Sequence, residues 1–136
     1  MPRVVVIGGA NVDIKGRSLA PIIAATSNPG SVTLSPGGVG RNIAHNLALL
    51  GLDVALIAMV GRDANGEFLL AKCAEAGIDC RQVVRTDAPT GTYLAMLQQD
   101  GELLAAINAM TCADAMTPEM LEERRAVIGS AGFLVA

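Results

Sequence analysis

Short, wholly apolar runs alternate along this chain with longer amphipathic ones. Residues 3–13, RVVVIGGANVD, open with a β-branched apolar run closed by Gly8-Gly9. That is the signature of a strand buried on both faces. A second such run, DVALIAMVG, follows at residues 53–61, and AGFLVA starts a third at residues 131–136. Helical spacing lies between them. Ile43, Leu47 and Leu50 recur at near 3.6 residues and close at Gly51. The stretch RDANGEFLLAKCAEAGI predicts a helix capped by Asp63 or Asn65 and stopped by Gly77. DCRQVVR reads as a shorter strand, and TPEMLEERRAVIG as one helix with Thr117 at the N-cap and Pro118 at its first position.

Two segments break the alternation. SLAPIIAATSNPGSVTLSPGG carries Pro21 and Pro29 and a short alternating piece at Ser31–Leu34, which reads as a loop with an edge strand. GTYLAMLQQDGELLAAINA reads as a hairpin, with Asp100-Gly101 expected to make a two-residue type I′ turn. The strand–helix order implies an α/β fold with a parallel sheet flanked by helices. The hairpin and the Ser31–Leu34 strand fall outside it and predict a small appended sheet. A strand at Phe133–Val135 needs neighbours and covering helices, so residues 1–136 are expected to be the N-terminal part of a larger α/β protein. No internal repeat or low-complexity segment is present.

Composition narrows the chemistry. Half the 136 residues are apolar (51%) but only 2% aromatic, so the core must be built from Val, Ile, Leu, Ala and Met. Net charge is −3 with no basic block, which argues against a nucleic-acid partner. No apolar run reaches the ~18 residues of a membrane span, and MPRVVVIGG lacks the pattern of a signal peptide, so a cytoplasmic location is expected. Cys73, Cys80 and Cys112 have neither CxxC nor zinc spacing and read as free, buried or half-buried thiols. No metal site is expected.

The glycine loop SPGGVGRN, residues 35–42, carries the first candidate chemistry. It is not Walker A, and it is not a dinucleotide fingerprint, because it does not follow the first strand. Gly37-Gly38-Val39-Gly40 opens a helix, where backbone N–H groups suit an anion or a hydroxyl-rich ligand at close range. Glycines needed only for tight packing explain the same pattern equally well. Asp13 lies past the first strand, where open α/β sheets bind ligands. There a carboxylate can accept two sugar hydroxyls, with Asn11 adding a contact; a turn carboxylate is the alternative. Arg41 is placed to orient a ligand at the helix start. His45, Lys15 and Arg17 read as surface or packing residues.

Together these residues resemble the pfkB, or ribokinase-like, carbohydrate kinases. Gly37, Gly38, Gly40, Asn42, Ala44, Gly51 and Gly61 stand at that family's N-terminal spacings. Within the family, ANVDIKG, SNPGSVTLSPGGVGRNIAHNLALLG and TGTYLAMLQQDGELLAAINAM are most similar to members that act on pseudouridine. The resemblance implies a ribokinase-like fold whose β-sheet lid takes strands from about residues 12–35 and 90–109. It implies transfer of the γ-phosphoryl of ATP, with Mg²⁺ and in some members a monovalent cation, to a ribosyl 5′-hydroxyl. It implies Asn11, Asp13, Gly37, Gly38 and Asn42 as substrate-binding residues, with Arg41 and Thr92 beside them, and a homodimer formed through the lid. The family's catalytic Gly-Ala-Gly-Asp segment and its ATP site have no counterpart in residues 1–136, so no catalytic or cofactor-binding residue is assigned. A polypeptide of these residues alone is therefore expected to bind a ligand or dimerise through its lid without catalysis. Ala109 stands where such members carry Asp.

Overall fold

The structure, a computed structural model, describes residues 3–136; Met1 and Pro2, the start of the expected unit, lie outside the described residues. In chain order the elements are β1 (Val4–Ile7), β2 (Asn11–Ser18), β3 (Gly30–Gly37), α1 (Val39–Leu49), β4 (Val54–Ile57), β5 (Met59–Gly61), α2 (Ala64–Glu75), β6 (Val84–Thr86), β7 (Thr92–Leu97) and β8 (Leu103–Ala109). A 3-10 turn at Thr111–Ala115, α3 (Pro118–Glu122), α4 (Arg125–Gly129) and β9 (Phe133–Val135) complete the chain.

The central sheet is parallel, in the order β4-β1-β9. β1 alternates its side chains between two apolar layers. Val4 and Val6 join Leu56, Ala44, Leu69 and Cys73 under α1 and α2. Val5 joins Ala55, Ile57, Met59, Cys112 and Met120 on the side of the 3-10 turn and α3. Each fully buried Val, Leu or Ile contributes about 1.5–3 kcal/mol, so the two layers are held mainly by aliphatic residues, with Met and Cys filling in. A second sheet, β3-β2-β7-β8, pairs β2 and β7 in parallel between two antiparallel neighbours. Pro36 sits in β3, an edge strand, where a missing N–H is tolerated.

Several elements differ from the sequence expectation. DVALIAMVG forms two strands: the Ala58 carbonyl accepts from Val84 N, and the chain leaves β1 to pair β5 with β6. Ile43 and Leu47 of α1 pack against the core as expected, beside the buried Gly40, Arg41 and Ala44, but Leu50 is 77% exposed. The hairpin does not close with a two-residue type I′ turn. Gln98 O accepts from Gly101 N, Gln98 N donates to Glu102 O, and Gly101, unlike Asp100, has positive φ (92°). That is a three-residue loop with a glycine bulge. TPEMLEERRAVIG breaks into α3 and α4, because Arg124 turns back to donate from NH1 to Met120 O and from Nε to Gln82 O. β9 stands at one edge of the parallel sheet, paired with β1, and Phe133 is 64% exposed.

Asp63, one of the two expected caps, is the N-cap of α2. Its carboxylate accepts from Gly66 N (2.8 Å), Thr90 N (2.8 Å) and Thr90 Oγ1 (2.5 Å). Burial pushes this carboxyl upward. The hydrogen bonds from Thr90 and Gly66, with the charge of Arg85, outweigh it and hold the pKa below the usual value. A depressed folded pKa means stability that is present above the unfolded value of ~3.9 and lost as pH falls through the folded one. Asp63→Ala is expected to cost about 1–2 kcal/mol at neutral pH, a typical cap loss, and to flatten the acid limb of stability below pH ~4. Urea unfolding at several pH values checks both; an unchanged acid limb would remove Asp63 as its source.

Candidate functional site

The turn Gly8-Gly9-Ala10 between β1 and β2 meets the N-terminus of α1 backbone to backbone. A Cβ on Gly40 would lie 2.7 Å from Gly8 Cα, and one on Gly38 would lie 2.4 Å from Gly9 O. Gly38 also has φ +93°. Packing therefore occupies the space that two of these glycines leave open. The helix end is partly satisfied as well: Arg41 N donates to Gly9 O (3.0 Å) and Asn42 N to Gly38 O (2.9 Å).

Asp13 lies inside β2, the third residue of that strand, and not in a turn after β1. Its Oδ1 accepts from Asn11 Nδ2 at 2.7 Å. A Cβ on Gly37 would come within 2.7 Å of both carboxylate oxygens, so Gly37 makes room for the Asp13 carboxylate. Asn11, Asp13 and Gly37 thus form one group. Asn42 is exposed in the first turn of α1, and its Oδ1 accepts from Arg41 NH1 (3.3 Å).

Arg41 is 4% exposed. Its Nη1 lies 3.4 Å from His45 Nδ1, and among the described residues its Nε has no hydrogen-bond partner and Asp13 makes no ion pair with it. The guanidinium also bears on Cys73. The Cys80 thiol, hydrogen-bonding to Cys73, and then Arg41 draw the Cys73 thiol down to about 7 against the burial that raises it, while Cys80 is pushed up by the same contact. All three cysteines are free, with Cys73 and Cys112 buried and Cys80 half-buried.

The second sheet is amphipathic, and its register shows which residues share a face. Ser35, Asp13, Tyr93 and Asn108 pair in one cross-strand row. Asn11, two residues before Asp13, lies on that same polar face. The alternate face begins at Val12, fully buried against the core, and continues outward through Leu34, Leu94 and Ile107, which are 51%, 41% and 68% exposed. Thr92 pairs with Val12 on one side and with Ala109 on the other, on this face; Thr92 Oγ1 donates to Thr90 O at 3.0 Å. Tyr93 and Asn108 therefore accompany Asp13. Their period-2 positions were visible in the sequence, but the register that aligns them was not. Arg17 is engaged away from this row, donating to Gln99 O.

The polar face ends at a cavity of about 130 Å³ bounded by Gly8, Asn11, Met59, Gly91, Met110 and Met116, among others. Among the described residues no group of three or more His, Cys, Asp or Glu side chains is placed to hold a metal ion. No described helix is long and apolar enough to cross a membrane.

The chain matches the pfkB family of carbohydrate kinases over residues 1–136. It is 42% identical to the pseudouridine kinase of Escherichia coli K12 over 134 residues, covering 98% of this chain and 43% of that protein. It is 36% identical to the guanosine-inosine kinase of Exiguobacterium acetylicum, covering 90% and 41%. Among solved structures, a carbohydrate kinase from Agrobacterium tumefaciens superposes with a TM-score of 0.89 at 34% identity, covering 98% of this chain and 44% of that one. The ribokinase of Giardia lamblia gives 0.82 at 27%, covering 98% and 44%. The chain thus spans about two-fifths of the length of the curated relatives it matches. Its fold is ribokinase-like, α/β with a second sheet beside the parallel one, and the chain belongs to the pfkB family of carbohydrate kinases.

Proposed function

We propose that this chain forms the acceptor-binding part of a kinase that moves the γ-phosphoryl of ATP to the 5′-hydroxyl of a ribosyl group. Pseudouridine is the acceptor favoured by the 42% identity to a pseudouridine kinase. The observation that carries the proposal is the Asn11–Asp13 pair on the polar face of the second sheet, beside the Gly38–Gly40 helix start. A carboxylate already oriented by one amide donor has lone pairs left for the two hydroxyls of a vicinal diol. In phosphoryl transfer, fixing the acceptor supplies a large share of the rate enhancement. ATP and Mg²⁺ would supply the transferred group and its charge neutralisation. Among the described residues no metal-binding group assembles.

Binding, not turnover, is the test, because the catalytic aspartate that the family implies has no counterpart in residues 1–136. Titration calorimetry with pseudouridine and D-ribose is expected to show saturable one-site binding. Absence of binding by both would overturn the proposal.

The exposed apolar face of the second sheet supports a homodimer joined lid to lid. Unpartnered apolar surface of this kind favours association. Size-exclusion chromatography with light scattering is expected to give a dimer, and the pair Leu94→Lys and Ile107→Lys a monomer. A wild-type monomer at ~100 μM would end the dimer reading.

A further inference from the structure

The cavity beside Asn11 is a second feature of the polar face, and Asp13 does not use it. Gly91 forms part of its wall, and an added Cβ there would lie 2.9 Å from Met110 Sδ and 3.3 Å from Asn11 Cβ. The amide that orients the Asp13 carboxylate therefore also borders the cavity. Val12 N donates to Gly91 O (2.9 Å), which fixes Gly91 next to Asn11 across the β2–β7 pair. The remaining wall is sulfur and small residues: Met59, Met110, Met116, Cys112 and Ala113.

We propose that this cavity receives a single six-membered base ring of the nucleoside, so that the chain selects pyrimidine-type over purine nucleosides. The inference rests on the proposed ribosyl site and adds a base subsite to it. Three observations lead to it. The cavity holds about 130 Å³, and a dry cavity on the order of 150 Å³ takes one benzene-sized ring; a fused two-ring purine exceeds it. Thioethers pack favourably against aromatic rings and adapt to their outline, and three methionines border this cavity. The base of a nucleoside is attached at C1′, one bond from C2′. A ribose diol held by Asp13 therefore brings its base within a few ångströms of Asn11, whose side-chain oxygen can accept from a ring N–H.

Calorimetric titration of the chain with pseudouridine, uridine, inosine and D-ribose tests this, with melting curves recorded for every variant. Pseudouridine and uridine are expected to bind at least tenfold more tightly than either D-ribose or inosine. Ala113→Leu, at an exposed wall position, is expected to reduce the pyrimidine-to-ribose affinity ratio at least fivefold. Met116→Ala widens the cavity and is expected to raise the inosine-to-pseudouridine ratio at least threefold. Inosine binding as tightly as pseudouridine overturns the inference. An unchanged pyrimidine-to-ribose ratio in a folded Ala113→Leu overturns it too. If that variant does not fold, an unchanged inosine ratio in Met116→Ala overturns it instead. D-ribose bound as tightly as the pyrimidine nucleosides leaves the ribosyl site standing and removes the base subsite. Wild-type protein that binds none of the four removes the ribosyl site itself.

Discussion

Asp13→Asn is expected to weaken ribosyl binding at least tenfold while moving the melting temperature by no more than about 2 °C. The substitution preserves shape and keeps one oxygen to accept from Asn11, whose Nδ2 lies 2.7 Å from Asp13 Oδ1. What it removes is the charge. A hydrogen bond to an ionised acceptor contributes about 1.5–3 kcal/mol, against about 0.5–1.5 for a neutral one. Two hydroxyls sharing one carboxylate therefore lose more than the ~1.4 kcal/mol that corresponds to a factor of ten. Stability should hardly respond, because Asp13 makes no ion pair among the described residues and is only half-buried, on the polar face of its sheet. A structural carboxylate would behave in the opposite way, with lowered stability and intact affinity. Calorimetric Kd values and thermal melts on the same preparations separate the two, and the second pattern would remove Asp13 from the site.

The layers of this fold could be read from the sequence because burial imposes its own periods. Val4–Ile7 is apolar at every position because both faces of β1 are covered, and α2 shows its start and stop in Asp63 and Gly77. What could not be read depends on partners distant in sequence. The break at Ala58 occurs because its carbonyl meets Val84, and nothing in DVALIAMVG marks that change of partner. The α3–α4 break comes from one arginine reaching Gln82, about forty residues earlier. The site was partly legible for the same reason. Asn11 and Asp13 stand out as polar residues in an apolar setting, yet only register aligns Tyr93 and Asn108 with them. Arg41 reads as a cation at a helix start, but it lies on the buried face of α1 against His45 and Cys73.

The glycine loop left two readings open in the sequence, and substitution at Gly38 separates them. Gly38→Ala is expected to destabilise the protein by about 3 kcal/mol and to lower the melting temperature by about 10 °C. Two costs add. The backbone has φ +93° and ψ 134°, a region almost reserved for glycine, and holding another residue there costs of order 1–3 kcal/mol. The new methyl would also lie 2.4 Å from Gly9 O and 2.7 Å from Ala10 Cα. These are backbone atoms fixed by the β1–β2 turn, so the turn and the start of α1 must separate, at an overpacking cost of about 1–3 kcal/mol. For a domain of this size each kcal/mol shifts the melting temperature by roughly 3–5 °C. Gly51→Ala is the internal control. Gly51 also has positive φ (+83°), but nothing lies within 4 Å of an added Cβ. That variant is expected to lose only the conformational part, about 1–2 kcal/mol. The difference between the two variants contains the contact between the turn and the helix together with the stricter backbone region of Gly38. Equal losses would mean that the turn yields freely, and Gly38 would then be kept for the close approach of a ligand and not for packing. A larger loss at Gly38 means that the same glycine sets the distance from the β1–β2 turn to α1. It would then hold the Asn11–Asp13 pair beside the first turn of the helix, even if its own backbone never touches the sugar.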